Sequence, residues 1–207
     1  MRCHKDYNAQ QYNFCENFRS SGNEIIDNWF ADLNETNHFI EFIPYEKFSN
    51  ITYLAEGGFS KVYKATCANG IINDLNCCER QIFSVFGNKT VVLKSLKHSE
   101  SISHDFLNEL KNYLRCSERW DSNYIHKYYG ITRHPETKNY MIVMDFAQNG
   151  DLHNYISKYT HTLCWDKKLY ILKDIVFGLS EIHSKQIIHR DLHTGNILVN
   201  FNYSDPF

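Results

Sequence analysis

The chain has 207 residues, of which 43% are hydrophobic and 22% are charged, and its formal net charge at pH 7 is −2. This length suits one large domain or a pair of lobes with a sizeable core, and the composition is that of an ordinary globular protein. The charge balance gives no reason to expect nucleic acid or an anionic membrane as a general partner. No apolar run approaches the length of a membrane-spanning helix.

The cysteines and the first residues bear on the cellular compartment. The seven cysteines are odd in number and include no CxxC pair, which argues against a disulfide framework and favours free thiols in the cytoplasm. Cys3, His4 and Cys15 lack a fourth ligand at a usual zinc spacing, so free thiols are the favoured interpretation there as well. The N-terminal residues contain no apolar signal-peptide core. We therefore expect a cytoplasmic protein.

Residues 1–45 are predicted to form a leader ahead of the main domain. Apolar residues recur at helical spacing over residues 23–33, which predicts a short amphipathic helix. Pro44 removes a backbone donor and restricts the residue before it, so residues 40–44 are expected to be extended. We expect the leader to pack on the domain or to fray.

A pair of strands follows the leader. Residues 51–54 and 60–65 have a β-type pattern, and they are separated by a turn that contains Gly57 and Gly58. Glycines in such a turn let backbone N–H groups approach phosphate oxygens, because no Cβ stands in the way. A glycine turn alone is usually only a turn, so its meaning depends on the motifs that follow.

The next region contains a lysine strand and a helix. Residues 67–89 look irregular and are predicted to be a mobile insertion. Residues 90–96 form a β-branched run that carries Lys94. Residues 103–114 have helical spacing, and this predicted helix contains Glu109. A strand lysine and a helix glutamate that both face solvent are the alternative to a functional pair.

The predicted elements then become mainly helical. Residues 140–144 form a buried-type strand that continues into a polar connector with a glycine. A short helix is predicted over residues 151–159 and a long one over residues 163–184. The long helix is apolar on two sides, so we expect other elements to pack on both. A side without such cover would expose a contiguous apolar surface.

The segment 189–196 has the sequence HRDLHTGN and contains candidate catalytic residues. We call it loop 189–196. Gly195 interrupts it and an apolar β-type run follows, which predicts a loop before a strand. Asp191 and Asn196 lie five residues apart. A carboxylate there can accept the proton of an attacking hydroxyl, while the amide oxygen can hold a metal ion at the phosphates.

Loop 189–196 resembles the H-R-D-L-x-x-x-N catalytic loop of eukaryotic protein kinases, and a tyrosine-kinase-like subgroup is the nearest form. The strand at Lys94 resembles the V-A-I-K strand of that family. Residues 55–62 resemble its glycine-rich loop only in part, because Ala55 and Ser60 replace the first and third glycines. The resemblance covers roughly residues 46–203.

The resemblance implies an α+β, bilobal protein-kinase-like fold with a complete β-rich small lobe, one main helix in it, and an incomplete helical large lobe. The small lobe is expected over residues 46–144, with the insertion inside it, and the start of the large lobe over residues 145–207. The implied ligands are ATP and Mg²⁺, and the implied partner is a protein substrate of unknown identity.

Site residues are carried over position by position. The implied catalytic residues are Asp191 as the base, Lys94 and Glu109 as a phosphate-positioning pair, and Asn196 as the metal ligand. The implied ATP-binding residues surround the adenine, ribose and phosphates; they are Leu54, Ala55, Glu56, Gly57, Gly58, Phe59, Ser60, Val62, Val92, Lys94, Met144, Asp145, Ala147, Asp151 and Leu198.

The sequence departs from the family towards its end. The D-F-G motif, whose aspartate binds magnesium, is not found after loop 189–196, and Asp205 is its only faint counterpart. The activation segment is also missing, so the kinase domain looks truncated. A non-catalytic kinase-like fragment or pseudokinase that binds a partner is therefore the alternative. A small-molecule phosphotransferase shares D-L-H-T-G-N, but it carries glycine where Arg190 stands.

Overall fold

The computed structural model describes most of the chain and divides it into two compact units. The described residues are 21–35, 41–58, 60–68, 71–76, 81–97, 99–100, 107, 110–111 and 124–200. The first unit comprises Met1–Glu109 and Lys127–Asp145, and the second comprises Leu110–His126 and Phe146–Phe207.

The first unit is built on a six-stranded sheet and a separate two-stranded sheet. Its strands, with one helix before them, are α1 (Glu24–Glu35), β1 (Glu41–Phe42), β2 (Phe48–Glu56), β3 (Ser60–Cys67), β4 (Ile71–Asn76), β5 (Gln81–Phe86), β6 (Lys89–Leu96), β7 (Tyr128–Arg133) and β8 (Tyr140–Asp145). The large sheet has the order β1-β7-β8-β6-β3-β2. Its pairs are antiparallel except the parallel pair β1–β7. The α+β class is thereby confirmed, whereas β7 was not predicted.

The buried core lies on one face of the large sheet, because successive side chains of a strand point to opposite faces. On β6, Val91 and Leu93 are fully buried, while Val92 and Lys94 between them are half-buried. The same cluster contains Val143 from β8 together with Phe48, Ala65, Cys67 and Met141. Val92 and Lys94, which belong to the lysine strand motif, therefore lie on the opposite face.

Residues 67–89 were expected to be irregular, and this expectation is wrong, because strands β4 and β5 lie there between the paired strands β3 and β6. Strands β4 and β5 pair antiparallel in a two-stranded sheet, with Ile71 opposite Phe86 and Asn76 opposite Gln81. Apolar and β-branched residues are frequent in both segments, and such residues favour strands. Two neighbouring runs of this kind can pair their backbone N–H and C=O groups with each other. A search for family motifs does not reveal this pairing.

The described parts of the leader, residues 21–35 and 41–45, pack within the first unit. Helix α1 confirms the predicted amphipathic helix, and it buries Ile26 and Phe30 almost completely. Ahead of α1, Asn23 Nδ2 donates to the Tyr140 hydroxyl on β8 at 3.4 Å. Strand β1 then pairs with β7 and lies so close to Gly130 that a Cβ there would collide with the Glu41 carbonyl.

The described part of the second unit includes two stretches of helix and loop 189–196. Helix α2 (Leu152–Tyr159) and helix α3 (Trp165–Ser184) confirm the two predicted helices. They share a small core whose buried members are Leu152, Tyr155, Leu163, Ile171 and Val199. After loop 189–196 the described chain forms only an isolated bridge between Leu198 and Asp151, where a strand was expected. None of the described helices is long and apolar enough to cross a membrane.

One side of α3 is uncovered. Leu169, Leu172 and Val176 are 46%, 54% and 64% exposed, and they follow one another at helical spacing. Ile171 on another side is buried, and Ile175 packs against the same small core. The long helix is therefore covered on one apolar side and exposed on the other, whereas its two-sided pattern predicts cover on both.

Candidate functional site

The glycine turn between β2 and β3 is closed by backbone and charged contacts. The Gly57 N–H donates to the Ser60 carbonyl at 2.8 Å. Lys97 Nζ lies 2.6 Å from Glu56 Oε1 and donates to the Gly57 carbonyl at 3.1 Å. The hydrogen bond from Lys97 lowers the pKa of the Glu56 carboxyl. Lys97 was missed from the sequence, because only the pairing of Leu96 with Ser60 brings it to this turn.

The predicted nucleotide-facing residues of the strands share one face of the sheet. Partners across antiparallel strands point to the same face. Lys94 lies between Val62 on β3 and Ile142 on β8, which places these three residues side by side. A second pair on this face joins Val92 to Met144. Ala55 on β2 stands opposite Val62, and so the structure brings the predicted residues of four strands together.

Two predicted site residues cannot be placed. Glu109, the expected partner of Lys94, and Phe59 in the glycine turn lie outside the described residues. Leu107 and Leu110 on either side of Glu109 are helical and buried, with 3% and 2% exposure. The pairing of Lys94 with Glu109 therefore stays a prediction.

A polar cluster fixes the end of β8, where the predicted connector begins. Lys89 Nζ lies 3.2 Å from Asp145 Oδ1, and the Tyr129 hydroxyl donates to the same oxygen at 3.1 Å. Lys89 also lies over the Tyr129 ring, 5.0 Å from its centroid. Burial raises the pKa of the Tyr129 phenol strongly, and the Asp145 charge adds to this rise. The Asp145 N–H donates to the Lys127 carbonyl at 3.0 Å.

In the connector after β8, the residues that were predicted to contact the nucleotide also make local structural contacts. Ala147 is buried, and its carbonyl accepts from the Gly150 N–H at 3.2 Å. Asp151 caps α2, because its Oδ1 accepts from the Asn154 N–H at 2.8 Å. The backbone of Asp151 bridges to Leu198, which joins the start of α2 to the residues after loop 189–196. A contact of Asp151 with ribose stays a prediction.

Loop 189–196 brings Asp191 and Asn196 into direct contact. Asn196 Nδ2 donates to Asp191 Oδ2 at 2.7 Å and to the Asp191 carbonyl at 2.9 Å. Arg190 adopts a left-handed backbone with φ of 65°, a conformation that costs on the order of 1 kcal/mol for a residue with a Cβ. The Asp191 side chain is 76% exposed. The loop thus presents a carboxylate to solvent and holds one of its oxygens.

Asn196 can also serve the expected metal. Because its Nδ2 is directed at Asp191, its Oδ1 is the atom left for a cation. Across the part of the chain that the structure describes, no group of three or more His, Cys, Asp and Glu could hold a metal ion. Asp205 lies outside that part. Asn196 Oδ1 is therefore the described atom that we expect to contribute to an Mg²⁺ site, with phosphate oxygens and water among the other ligands.

Comparisons with known proteins agree with this geometry. A family model described as "Protein tyrosine and serine/threonine kinase" matches residues 48–204. The chain is 28% identical over 74% of its length to serine/threonine-protein kinase PLK4 of Nematostella vectensis. It is 31% identical over 76% of its length to serine/threonine-protein kinase dst4 of Dictyostelium discoideum. These matches cover 14% and 28% of the two relatives.

A third relative is the calmodulin-binding receptor-like cytoplasmic kinase 2 of Arabidopsis thaliana, which is 26% identical over 89% of this chain and 42% of its own length. The chain therefore spans less than half of each of these three curated relatives. The description of the family includes both tyrosine and serine/threonine kinases, so the subgroup stays a resemblance. Since the family model covers about three quarters of the chain, the protein belongs to the protein kinase family.

Proposed function

We propose that this protein transfers the terminal phosphoryl group of ATP to hydroxyl groups of a protein substrate. The observation that carries the proposal is the contact at 2.7 Å between Asn196 Nδ2 and Asp191 Oδ2. It directs one carboxylate oxygen into the loop and leaves the other, Oδ1, for the acceptor hydroxyl. A base must lie within hydrogen-bond reach of the proton that it accepts, and the exposed Asp191 can be reached by a substrate.

The other residues bind and orient. Lys94 would neutralise charge on the phosphates, with Glu109 as its partner, and the glycine turn would cover them. The backbone of Asp145 and Ala147 would contact adenine, and Val92, Met144 and Leu198 would enclose it. Members of this family generally use ATP and Mg²⁺, and Asn196 Oδ1 would hold the ion, which neutralises phosphate charge when bound.

Phosphoryl transfer to a mixed set of serine, threonine and tyrosine peptides tests the proposal. We expect radiolabel transfer from ATP by the full chain, and a loss of roughly 100-fold or more in the Asp191→Asn variant, because the base is removed. Asp166→Asn, in the first turn of α3, is the matched control and should retain activity. Equal transfer by the Asp191→Asn variant and the wild type would overturn the assignment of the base.

The alternative is a non-catalytic kinase-like protein that binds nucleotide or a partner. Binding of ATP with no transfer above the Asp191→Asn background would favour this alternative. Testing choline and aminoglycosides as acceptors in the same assay distinguishes a small-molecule phosphotransferase from a protein kinase. The protein kinase names of the relatives support a protein acceptor.

A cytoplasmic location is part of the proposal. Cys164 is an exposed free thiol. Exposed free thiols persist in reducing compartments, where kinases also find ATP. Tagging the chain and following it by microscopy would test the location.

A further inference from the structure

The His193 ring lies directly over the backbone of Gly195. His193 Nδ1 accepts a hydrogen bond from the Gly195 N–H at 3.1 Å, and this bond begins the short 3₁₀ turn Thr194–Asn196. A Cβ at residue 195 would stand 2.9 Å from Cε1 of the same ring and 3.1 Å from its Nδ1. A side chain at residue 195 would therefore displace the imidazole from this position.

This hydrogen bond fixes the tautomer of the neutral ring. A neutral imidazole has one N–H and one acceptor nitrogen. Because Nδ1 accepts from Gly195, the proton must lie on Nε2. Nε2 stands 3.7 Å from Asp191 Oδ2, which is longer than a hydrogen bond but close enough for the N–H dipole to attract the carboxylate. The ring thus directs a positive edge towards Asp191.

The two contacts converge on one oxygen of Asp191. Oδ2 accepts from Asn196 Nδ2 at 2.7 Å and faces His193 Nε2. The side chains of His193 and Asp191 are 56% and 76% exposed, so solvent screens their attraction and it contributes little to stability. Its effect is on direction, because both neighbours favour the rotamer in which Oδ2 points inward and Oδ1 points outward.

We propose that His193 is a positioning residue for phosphoryl transfer: its ring orders the turn that carries Asn196 and holds Asp191 with Oδ1 directed at the acceptor hydroxyl. The catalytic part of this proposal rests on the proposed function, whereas the positioning itself is a property of the loop. It also explains why His193 and Gly195 occur together in this loop. The ring needs the space above residue 195, and the turn needs the acceptor on the ring.

Nuclear magnetic resonance of the full chain tests the positioning without any activity. At about pH 8, where a free imidazole is neutral, the ¹⁵N shifts of the His193 ring should show the Nε2–H tautomer. The His193→Ala variant should move the side-chain amide signals of Asn196 and the amide signal of Gly195. Gly195→Ala should displace the ring and alter its tautomer signature. His161→Asn, an exposed histidine outside the loop, should leave these signals unchanged.

Kinetics of the same variants test the link to transfer. His193→Asn keeps an acceptor for the Gly195 N–H, since asparagine bonds to a backbone amide two residues on, but it lacks the Nε2–H. We expect kcat to fall about threefold in His193→Asn and about tenfold in His193→Ala, because misdirected groups slow the reaction. KM for ATP should change less than about twofold, since His193 is not among the predicted ATP-binding residues.

Two results would overturn the inference. One is an Nδ1–H tautomer in the wild type, and the other is a His193→Ala variant whose Asn196 signals and kcat equal those of the wild type. If the wild type transfers no phosphate, the proposed function fails, and the resonance data alone decide the positioning. If the wild type and the His193 variants are equally active while the Asp191→Asn variant is not, the proposed function stands and the positioning fails.

Discussion

At the residue scale, Asp145 shows how a few contacts can fix the start of a functional segment. Its Oδ1 is held by Lys89 at 3.2 Å and by the Tyr129 hydroxyl at 3.1 Å, and its N–H is bonded to Lys127. Tyr129 is only 6% exposed, so its hydroxyl depends on this partner. Because the backbone of Asp145 is proposed to contact adenine, the cluster would hold that contact in place from behind.

The Tyr129→Phe variant should lose about 1 to 2 kcal/mol of unfolding free energy at neutral pH, because a hydrogen bond to a charged group is removed. Burial raises the folded-state pKa of Tyr129, whereas the unfolded phenol ionises near its ordinary value of about 10. Above that pH the unfolded state releases a proton that the folded state keeps, so stability falls as pH rises.

Urea unfolding from about pH 8 to 11 measures this dependence, which should be shallower in Tyr129→Phe than in the wild type. Tyr53→Phe is the matched control, since Tyr53 is 58% exposed on β2. An equally steep decline in Tyr129→Phe would contradict the assignment of the proton to Tyr129.

At the element scale, the join between β1 and β7 depends on one glycine. The register pairs Glu41 with Gly130, and the backbone of β1 occupies the space where a side chain of residue 130 would stand. Strand β1 has only two residues, Glu41 and Phe42, so a small displacement removes all of its pairing. The leader is therefore attached to the sheet through a very close backbone approach.

Gly130→Ala should lower the unfolding free energy by about 1 to 3 kcal/mol, because the added methyl group collides with backbone that cannot rotate away. Hydrogen exchange should become faster at the Ile43 N–H, which donates to the Ile131 carbonyl at 2.9 Å next to this join. Gly87→Ala is the control, since no atom lies within 4 Å of a Cβ built there. Unchanged exchange at Ile43 would show that the join tolerates the methyl group.

At the scale of the whole molecule, the exposed apolar side of α3 contrasts with the buried core on one face of the large sheet. Large apolar side chains are more than 40% exposed along α3, including Leu172 and Val176. Soluble proteins rarely expose contiguous apolar surface of this kind without a consequence for association or dye binding. The same helix buries Ile171 in its own small core, so the exposure belongs to one side.

The chain should bind a hydrophobic dye such as 1-anilinonaphthalene-8-sulfonate in its folded state, and the Val176→Glu variant should bind about half as much, because a charge interrupts the apolar side. Fluorescence titration with circular dichroism to check folding makes the measurement. Ser180→Glu is the control on the same helix, since it adds the same charge at an exposed position without removing an apolar side chain. Equal fluorescence from both variants would locate the dye elsewhere.

The sequence by itself determined the local parts of this protein. Loop 189–196 was predictable because its contacts join residues at most five positions apart, including Gly195 to His193 and Asn196 to Asp191. Residues this close in sequence are also close in space, so their spacing indicates which of them meet. The strand of Lys94 was predictable because alternating burial follows from the period of a strand. The helices α1 and α3 followed from apolar spacing in the same way.

Only the tertiary structure decided the contacts between distant residues. Lys97 reaches Gly57 across forty positions and Tyr129 reaches Asp145 across sixteen, and each contact exists because strand register brings the two residues together. The hairpin of β4 and β5 and the pairing of β1 with β7 depend on register too. A pattern of residues fixes which face of a strand is apolar, but the partner of that strand is chosen by packing of the whole sheet.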